Sequence, residues 1–232
     1  VKQRVMGCES GIRDKIKVIQ PDNPFSLFAA HYSLLTACDV FVVAAYGKII
    51  PEKILEAPRL GTLGVHPSLL PKYRGPSPIQ SAILAGEETS GVTVFKVDGK
   101  IDHGPILAQK EVPNFGRVYY EEAIEILANA GADLLIENLP KYISGGLEPK
   151  PQNHSEASFT KMFKTEDAYV PSEKIHEPYV YNMVRALNPE PGVWTILDGK
   201  RVKLLDGKVE NGKFIVTRIQ EAGKNPLNIN GN

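Results

Sequence analysis

Between Gly61 and Leu107 the chain reads GTLGVHPSLLPKYRGPSPIQSAILAGEETSGVTVFKVDGKIDHGPIL. Thr62 to Val65 is a short apolar run that leads into His66-Pro67, and it reads as a buried strand. Pro78 to Ala85 reads as a helix ended by Gly86. Val92 to Val97 is β-branched and strand-like, and Ile106 to Val112 reads as a further strand. Working outward, Asp39 to Ala45 is a nearly continuous apolar run, the pattern of a strand buried on both faces of a parallel sheet. Pro51 opens a short helix, Phe25 to Ala37 is a helix by its apolar spacing, and Ile16 to Ile19 is a strand stopped by Pro21. Tyr119 to Leu139 is the longest helical pattern, with Ala123, Ile126, Leu127, Ala130, Leu134 and Leu135 on one face. Strands alternating with helices predict an α/β fold with a mostly parallel sheet.

The composition changes after Ser144. Gly145-Gly146, Pro149, Pro151 and the polar run to Ser155 lack an apolar period and read as a linker. Beyond it, Ile175 to Leu187 is helical, and three strand-like runs (Val193 to Leu197, Val202 to Leu205, Phe214 to Ile219) are punctuated by Asp198-Gly199, Asp206-Gly207 and Asn211-Gly212. Each dipeptide suits a hairpin turn, which predicts a small antiparallel β-barrel or sheet. The expected organisation is a first domain over residues 1–146, a linker over 147–170 and a second domain over 171–232.

Bulk composition narrows the function classes. The 232 residues carry 27 Lys plus Arg against 27 Asp plus Glu, so neither a basic nucleic-acid tail nor an acidic disordered chain dominates. No apolar run approaches the roughly 18 residues of a membrane-spanning helix, and Val1-Lys2-Gln3-Arg4 does not begin a signal peptide. Two cysteines, Cys8 and Cys38, are too few for a disulfide framework or a Cys-rich metal site, which predicts a reduced cytoplasmic protein without a metal.

His66 falls at the carboxyl end of a predicted strand, where ligands of open α/β sheets bind, and Asp102 lies in a turn before the next one. A histidine near a carboxylate can exchange protons near neutral pH or stabilise a developing oxyanion. A strand-end histidine beside a turn aspartate that satisfies local backbone donors fits the same residue types, and from them alone it is the commoner arrangement. His103 and Lys100 read as solvated turn residues.

The order of motifs resembles the folate-dependent formyltransferase family. His66 to Pro71 matches its H-x-S-L-L-P signature and Asp102-His103-Gly104 its later D-x-G stretch. Arg74-Gly75-x-x-Pro78-Ile79-Gln80 is similar to the branch acting on methionyl-tRNA, as is the tail block from Val184 to Trp194. Val43 to Pro51 resembles that branch's folate-pocket loop. The resemblance implies a Rossmann-like formyl-transfer domain followed by a small OB-like barrel. The implied activity is formyl transfer from 10-formyltetrahydrofolate to the α-amine of methionyl initiator tRNA, by a monomer. Other amines, on a sugar nucleotide or a purine precursor, are the alternative acceptors. His66 would stabilise the oxyanion or shuttle a proton, and Asp102 would hold that histidine or a water and help take the amine's proton. Ser68, Leu69, Leu70, Pro71, Tyr46, Gly47 and Ile49 would border the folate. Arg74, Arg185, Lys200, Arg201 and Lys203 would contact tRNA; the 9 basic and 7 acidic residues from Pro171 onward give only a slight positive bias.

Two departures accompany the resemblance. The family's N-x-H motif supplies an asparagine amide to the formyl oxygen, and here that position is Gly64. Loss of one oxyanion donor costs about 3 kcal/mol, so Gly64 fits an inactivated form, an enzyme using another donor, or a folate- or tRNA-binding relative without catalysis. The likeness also joins the family partway through its nucleotide-binding half, and the chain opens on Val1 with Met6 as its first methionine, so it is expected to be part of a longer protein.

Overall fold

In the computed structural model, residues 36–229 are described. The strand expected at Ile16 to Ile19 and most of the helix expected at Phe25 to Ala37 lie outside them.

β1 (Phe41–Ala44), β2 (Thr62–His66), β3 (Thr89–Lys96) and β4 (Ile106–Pro113) form one sheet in that order. β1 and β2 run parallel, with Ala44 opposite Val65, so their carboxyl ends share one edge of the sheet. The other two pairings are antiparallel, so the described strands make a mixed sheet with one parallel pair. The alternation with helices predicted more parallel pairing. The β2–β3 crossover contains α2 (Pro78–Leu84) but begins with a long irregular loop from Pro67, and the turn after β3 doubles straight back into β4. The nine residues between β3 and β4 are too few for a crossover helix, so these neighbours pair antiparallel. β1 also differs from expectation: its residues alternate between half-buried and exposed, with Val42 43% exposed, because it has a paired neighbour on one side only among the described residues.

α1 (Glu52–Leu55) follows Pro51 as expected. α3 (Tyr120–Ile143) lies against β3 and β4, burying Ala123, Leu127, Ala130 and Leu134 at the helical spacing read from the sequence. α4 (Pro178–Leu187) packs on α2, so Val180, Val184 and Leu187 join Ile79 and Ile83 in one continuous core. A core that runs from one sheet to the other ties the two parts together through apolar burial.

The carboxyl-terminal part is a four-stranded antiparallel sheet of β5 (Trp194–Leu197), β6 (Lys200–Glu210), β7 (Lys213–Glu221) and β8 (Leu227–Asn228). Asp198-Gly199 and Asn211-Gly212 form the two hairpin turns. Asp206-Gly207 does not: it sits inside β6, where the register with β7 slips on both sides of Asp206. A side chain at Gly207 would collide with the Phe214 ring, so this glycine serves a close cross-strand approach instead of a turn. No pairing among the described residues joins β5 to β8 into a closed barrel.

Residues 147–170, expected as a linker, are laid against the first sheet. Lys150 and Ile106 exchange two backbone hydrogen bonds of 2.7 Å. Ser158 accepts from the Arg74 amide at 2.9 Å, and Thr160 donates to the Arg74 carbonyl at 2.7 Å. Around Lys150 to Thr160 the missing apolar period is explained by this, because that stretch is fastened by backbone and polar contacts, whereas Ala168 and Val170 further on are buried in the core.

Candidate active site

His66 ends β2 at the carboxyl edge and is only 6% exposed. Its Nε2 lies 2.9 Å from the Tyr73 carbonyl oxygen. A carbonyl can only accept, so Nε2 carries the proton and the neutral ring presents its lone pair at Nδ1. Nδ1 faces the Asp102 carboxylate, 3.6 Å from Oδ2. This is beyond direct hydrogen-bonding distance yet close enough for strong electrostatic coupling. Burial is the largest influence on the ring and lowers its pKa below the ordinary value of 6.5; the Asp102 charge and the Tyr73 carbonyl partly oppose it. The ring is therefore neutral at neutral pH and can take up a proton beside a carboxylate that stabilises the resulting imidazolium.

Asp102 reaches this position from the turn between β3 and β4, with a left-handed φ of 45°. Its Oδ2 accepts the Gly75 amide hydrogen at 2.7 Å. The turn passes so close to β3 that a Cβ at Gly104 would fall on the Lys96 carbonyl oxygen, which accounts for the glycine in D-x-G. His103 points elsewhere: its Nδ1 lies 2.7 Å from Asp98 Oδ2, and its ring stacks on His154 at 4.1 Å between centroids.

Gly64 shares the face of β2 that carries His66 and lies opposite Phe95 on β3. A Cβ there would sit 2.6 Å from Cε1 and 2.9 Å from Cζ of Phe95, and 3.0 Å from Cγ2 of Val97. The Phe95 ring, 4% exposed and edge-on to His66, thus covers the space that a side chain at position 64 would enter. Phe95 gave no signal in the sequence, because its role depends on which strand pairs with β2 and in which register.

The residues assigned to the folate wall divide. Ser68 is buried and donates its hydroxyl to the Lys72 carbonyl. Leu70 is 3% exposed; its amide donates to Thr93 Oγ1 and its carbonyl accepts from Gln109 Nε2. Both are turned inward and lock the loop, so neither offers its side chain to a ligand. Leu69 and Pro71 remain half-buried. Tyr46, Gly47 and Ile49 follow β1 at the same carboxyl edge as His66, and Tyr46 and Ile49 are 43% and 93% exposed. Apolar surface of this kind beside a polar pair suits a flat, largely apolar ligand.

The assigned tRNA contacts divide as well. Arg74 (3% exposed) donates to Gln152 and His154, and Arg185 (1% exposed) donates to the Val118 carbonyl and Asn182 while lying over the Tyr181 ring. Both guanidinium groups are spent inside the fold, so these two assignments are corrected: a phosphate cannot reach them. Arg201 and Lys203 share one face of β6 with Trp194, and Arg201 stacks on the indole at 4.2 Å. Lys200 projects to the opposite face, 3.9 Å from Glu221. Gln152, buried and bonded to the Asp102 turn, was missed; a single glutamine between prolines carries no period to announce it.

Fold and site together define an α/β protein whose sheet edge carries a buried histidine facing a half-buried carboxylate, followed by an antiparallel β domain. Residues 19–142 match the formyl transferase family and residues 176–230 the formyl transferase C-terminal domain, and the chain belongs to the formyl transferase family. It is 43% identical over 171 residues to the methionyl-tRNA formyltransferase of Chloroflexus aurantiacus, covering 74% of this chain and 55% of that protein. It is 39% identical over 218 residues to the methionyl-tRNA formyltransferase of Thermotoga maritima, covering 94% of this chain and 66% of that protein. The chain therefore spans between about half and two thirds of these relatives. Among solved structures, methionyl-tRNA formyltransferase from Clostridium thermocellum shares the fold with a TM-score of 0.63 at 22% identity, over 86% of this chain and 84% of that one. HypX from Aquifex aeolicus in complex with tetrahydrofolic acid shares it with a TM-score of 0.69 at 20% identity, over 89% of this chain and 40% of that one.

Proposed function

We propose that this protein transfers the formyl group of 10-formyltetrahydrofolate to the α-amine of methionyl initiator tRNA in the cytoplasm. The observation that carries the reading is the buried His66, its Nδ1 lone pair turned to Asp102 at 3.6 Å, at the sheet edge of a formyl transferase. The amine attacks the formyl carbon and the carbonyl electrons move onto oxygen. His66 Nδ1, backed by Asp102, takes the proton that the amine loses. Collapse of the tetrahedral species breaks the bond to the folate nitrogen, which gains a proton as tetrahydrofolate leaves. The imidazolium formed in this way also offers positive charge to the oxyanion. The exposed Tyr46 and Ile49, with Leu69 and Pro71, border the folate ring; the face of Trp194, Arg201 and Lys203 meets tRNA phosphate. The 43% and 39% identity to methionyl-tRNA formyltransferases of Chloroflexus aurantiacus and Thermotoga maritima supports tRNA over a small amine as acceptor.

A second reading, folate or tRNA binding without turnover, is favoured by one observation: Gly64 offers no donor and Phe95 fills the adjoining space. A formylation assay separates the two. Product formation that depends on His66 supports the enzyme, and binding of both substrates without product supports the binding protein.

A further inference from the structure

Gln152 belongs to a segment that the sequence presents as a linker, and its side chain is 6% exposed. Its Oε1 accepts from Arg74 Nε at 3.2 Å and from Arg74 Nη2 at 2.5 Å. Its Nε2 donates to the Asp102 carbonyl at 2.9 Å and to the Gly104 carbonyl at 2.7 Å. The amide has one sensible orientation, because a guanidinium can only donate and carbonyls can only accept. All four of its bonding capacities are used inside the protein.

These contacts close a ring around the carboxylate that faces His66. Arg74 holds Gln152, and Gln152 holds the backbone on both sides of His103. The Asp102 side chain returns to the amide of Gly75, the residue next to Arg74. Asp102 sits at a left-handed φ of 45°, a region that aspartate visits more readily than most residues, so the turn's geometry is held by its hydrogen bonds. Nothing in this ring touches His66 directly except the carboxylate itself.

We propose that Gln152 is a positioning residue: clamped by Arg74, its amide fixes the Asp102 turn so that the carboxylate stands opposite His66. This rests on the reading of His66 and Asp102 as the catalytic pair. The segment from Lys150 to Thr160 is then a working part of the site, a strap whose one buried amide sets the geometry of a group that it never approaches with its own charge.

The experiment follows the His66 ring by nuclear magnetic resonance across a pH titration of the chain, in Gln152→Met and in the same substitution made in an Asp102→Ala background. No substrate is needed, so the result is independent of whether formyl transfer is the activity. With the carboxylate released, the His66 midpoint should fall by about half a unit or more, since a neighbouring anion is what raises it. In the Asp102→Ala background the same substitution should move the midpoint by less than a quarter of that shift. Where the parent ring stays neutral throughout the accessible range, the Nδ1 resonance at fixed pH reports the same loss. Gln152→Leu likewise removes the amide without adding charge, and it serves if Gln152→Met does not fold. In an active protein, kcat should drop about tenfold to a hundredfold with KM for folate changed less than twofold. A His66 signal unmoved by both Gln152 substitutions, or moved equally with and without Asp102, overturns the proposal.

Discussion

Replacing Gly64 by alanine tests whether Phe95 and the missing side chain are two halves of one packing arrangement. The new Cβ would lie 2.6 Å from the Phe95 ring, whereas ordinary contact begins at 3.4 Å, so the ring must retreat by about 0.8 Å. It has little room: Phe95 is 4% exposed, and Val97 Cγ2 would stand 3.0 Å from the same methyl. Overpacking of this kind costs about 1–3 kcal/mol. The opposing gain from stiffening the unfolded chain, about 0.4–1 kcal/mol for glycine to alanine, is smaller, so the net effect is destabilising. Phe95→Leu alone removes ring atoms and is also destabilising. Combined, the methyl occupies volume that the shorter side chain vacates, and the double variant should be about 1–2 kcal/mol more stable than the sum of the singles. Urea unfolding of the four proteins measures this coupling. Additivity within about 0.5 kcal/mol would refute the reasoning. Under the proposed activity the same geometry bears on turnover: Gly64→Asn should raise it by about one to three decades only when Phe95→Leu accompanies it, since one oxyanion donor has about that effect.

Three further outcomes are expected. Because burial holds the His66 pKa below its unfolded value near 6.5, the unfolded chain binds the proton first as pH falls. The stability associated with neutral His66 is therefore complete above about pH 6.5 and is lost as pH drops toward the depressed folded value; His66→Gln should flatten that part of the stability profile, and an unchanged slope counts against the assignment. Arg185→Met should cost about 2–3 kcal/mol in urea unfolding, because the Val118 carbonyl and Asn182 lose a charged donor, while the salt dependence of tRNA binding stays as in the parent. Arg201→Ala with Lys203→Ala should lower that salt slope by about one to two, whereas Lys200→Ala, on the other face, should leave it nearly unchanged; equal effects would place the tRNA surface elsewhere.

Much of the fold was legible because its signals are local. The apolar period of α3, the proline before α1 and the two hairpin dipeptides at Asp198-Gly199 and Asn211-Gly212 each act over a few residues, and each appears where the pattern put it. The errors share a different cause. Asp206-Gly207 has the composition of a turn, but the approach of Phe214 from the neighbouring strand decides its conformation. Arg185 lies among tail residues that resemble a tRNA-binding domain, yet burial on the inner face of α4 turns it into a structural donor. The polar segment around Gln152 shows no periodicity because its contacts are hydrogen bonds to backbone, which no hydrophobic pattern records. The His66–Asp102 meeting spans 36 residues and needs both the strand end and the folded-back turn, so residue types alone left it open, and the order of motifs pointed to it.

The central claim is that the His66–Asp102 pair moves the proton in formyl transfer. Its most direct measurement is the single-turnover rate of formyl transfer from 10-formyltetrahydrofolate to methionyl initiator tRNA, compared among the parent, His66→Ala and Asp102→Asn. A parent that forms N-formylmethionyl-tRNA, with each variant folded, still binding folate, and slower by about two to four decades, is the expected result. A folded variant that keeps near-parental transfer, or a parent that binds both substrates and forms no product, would contradict it.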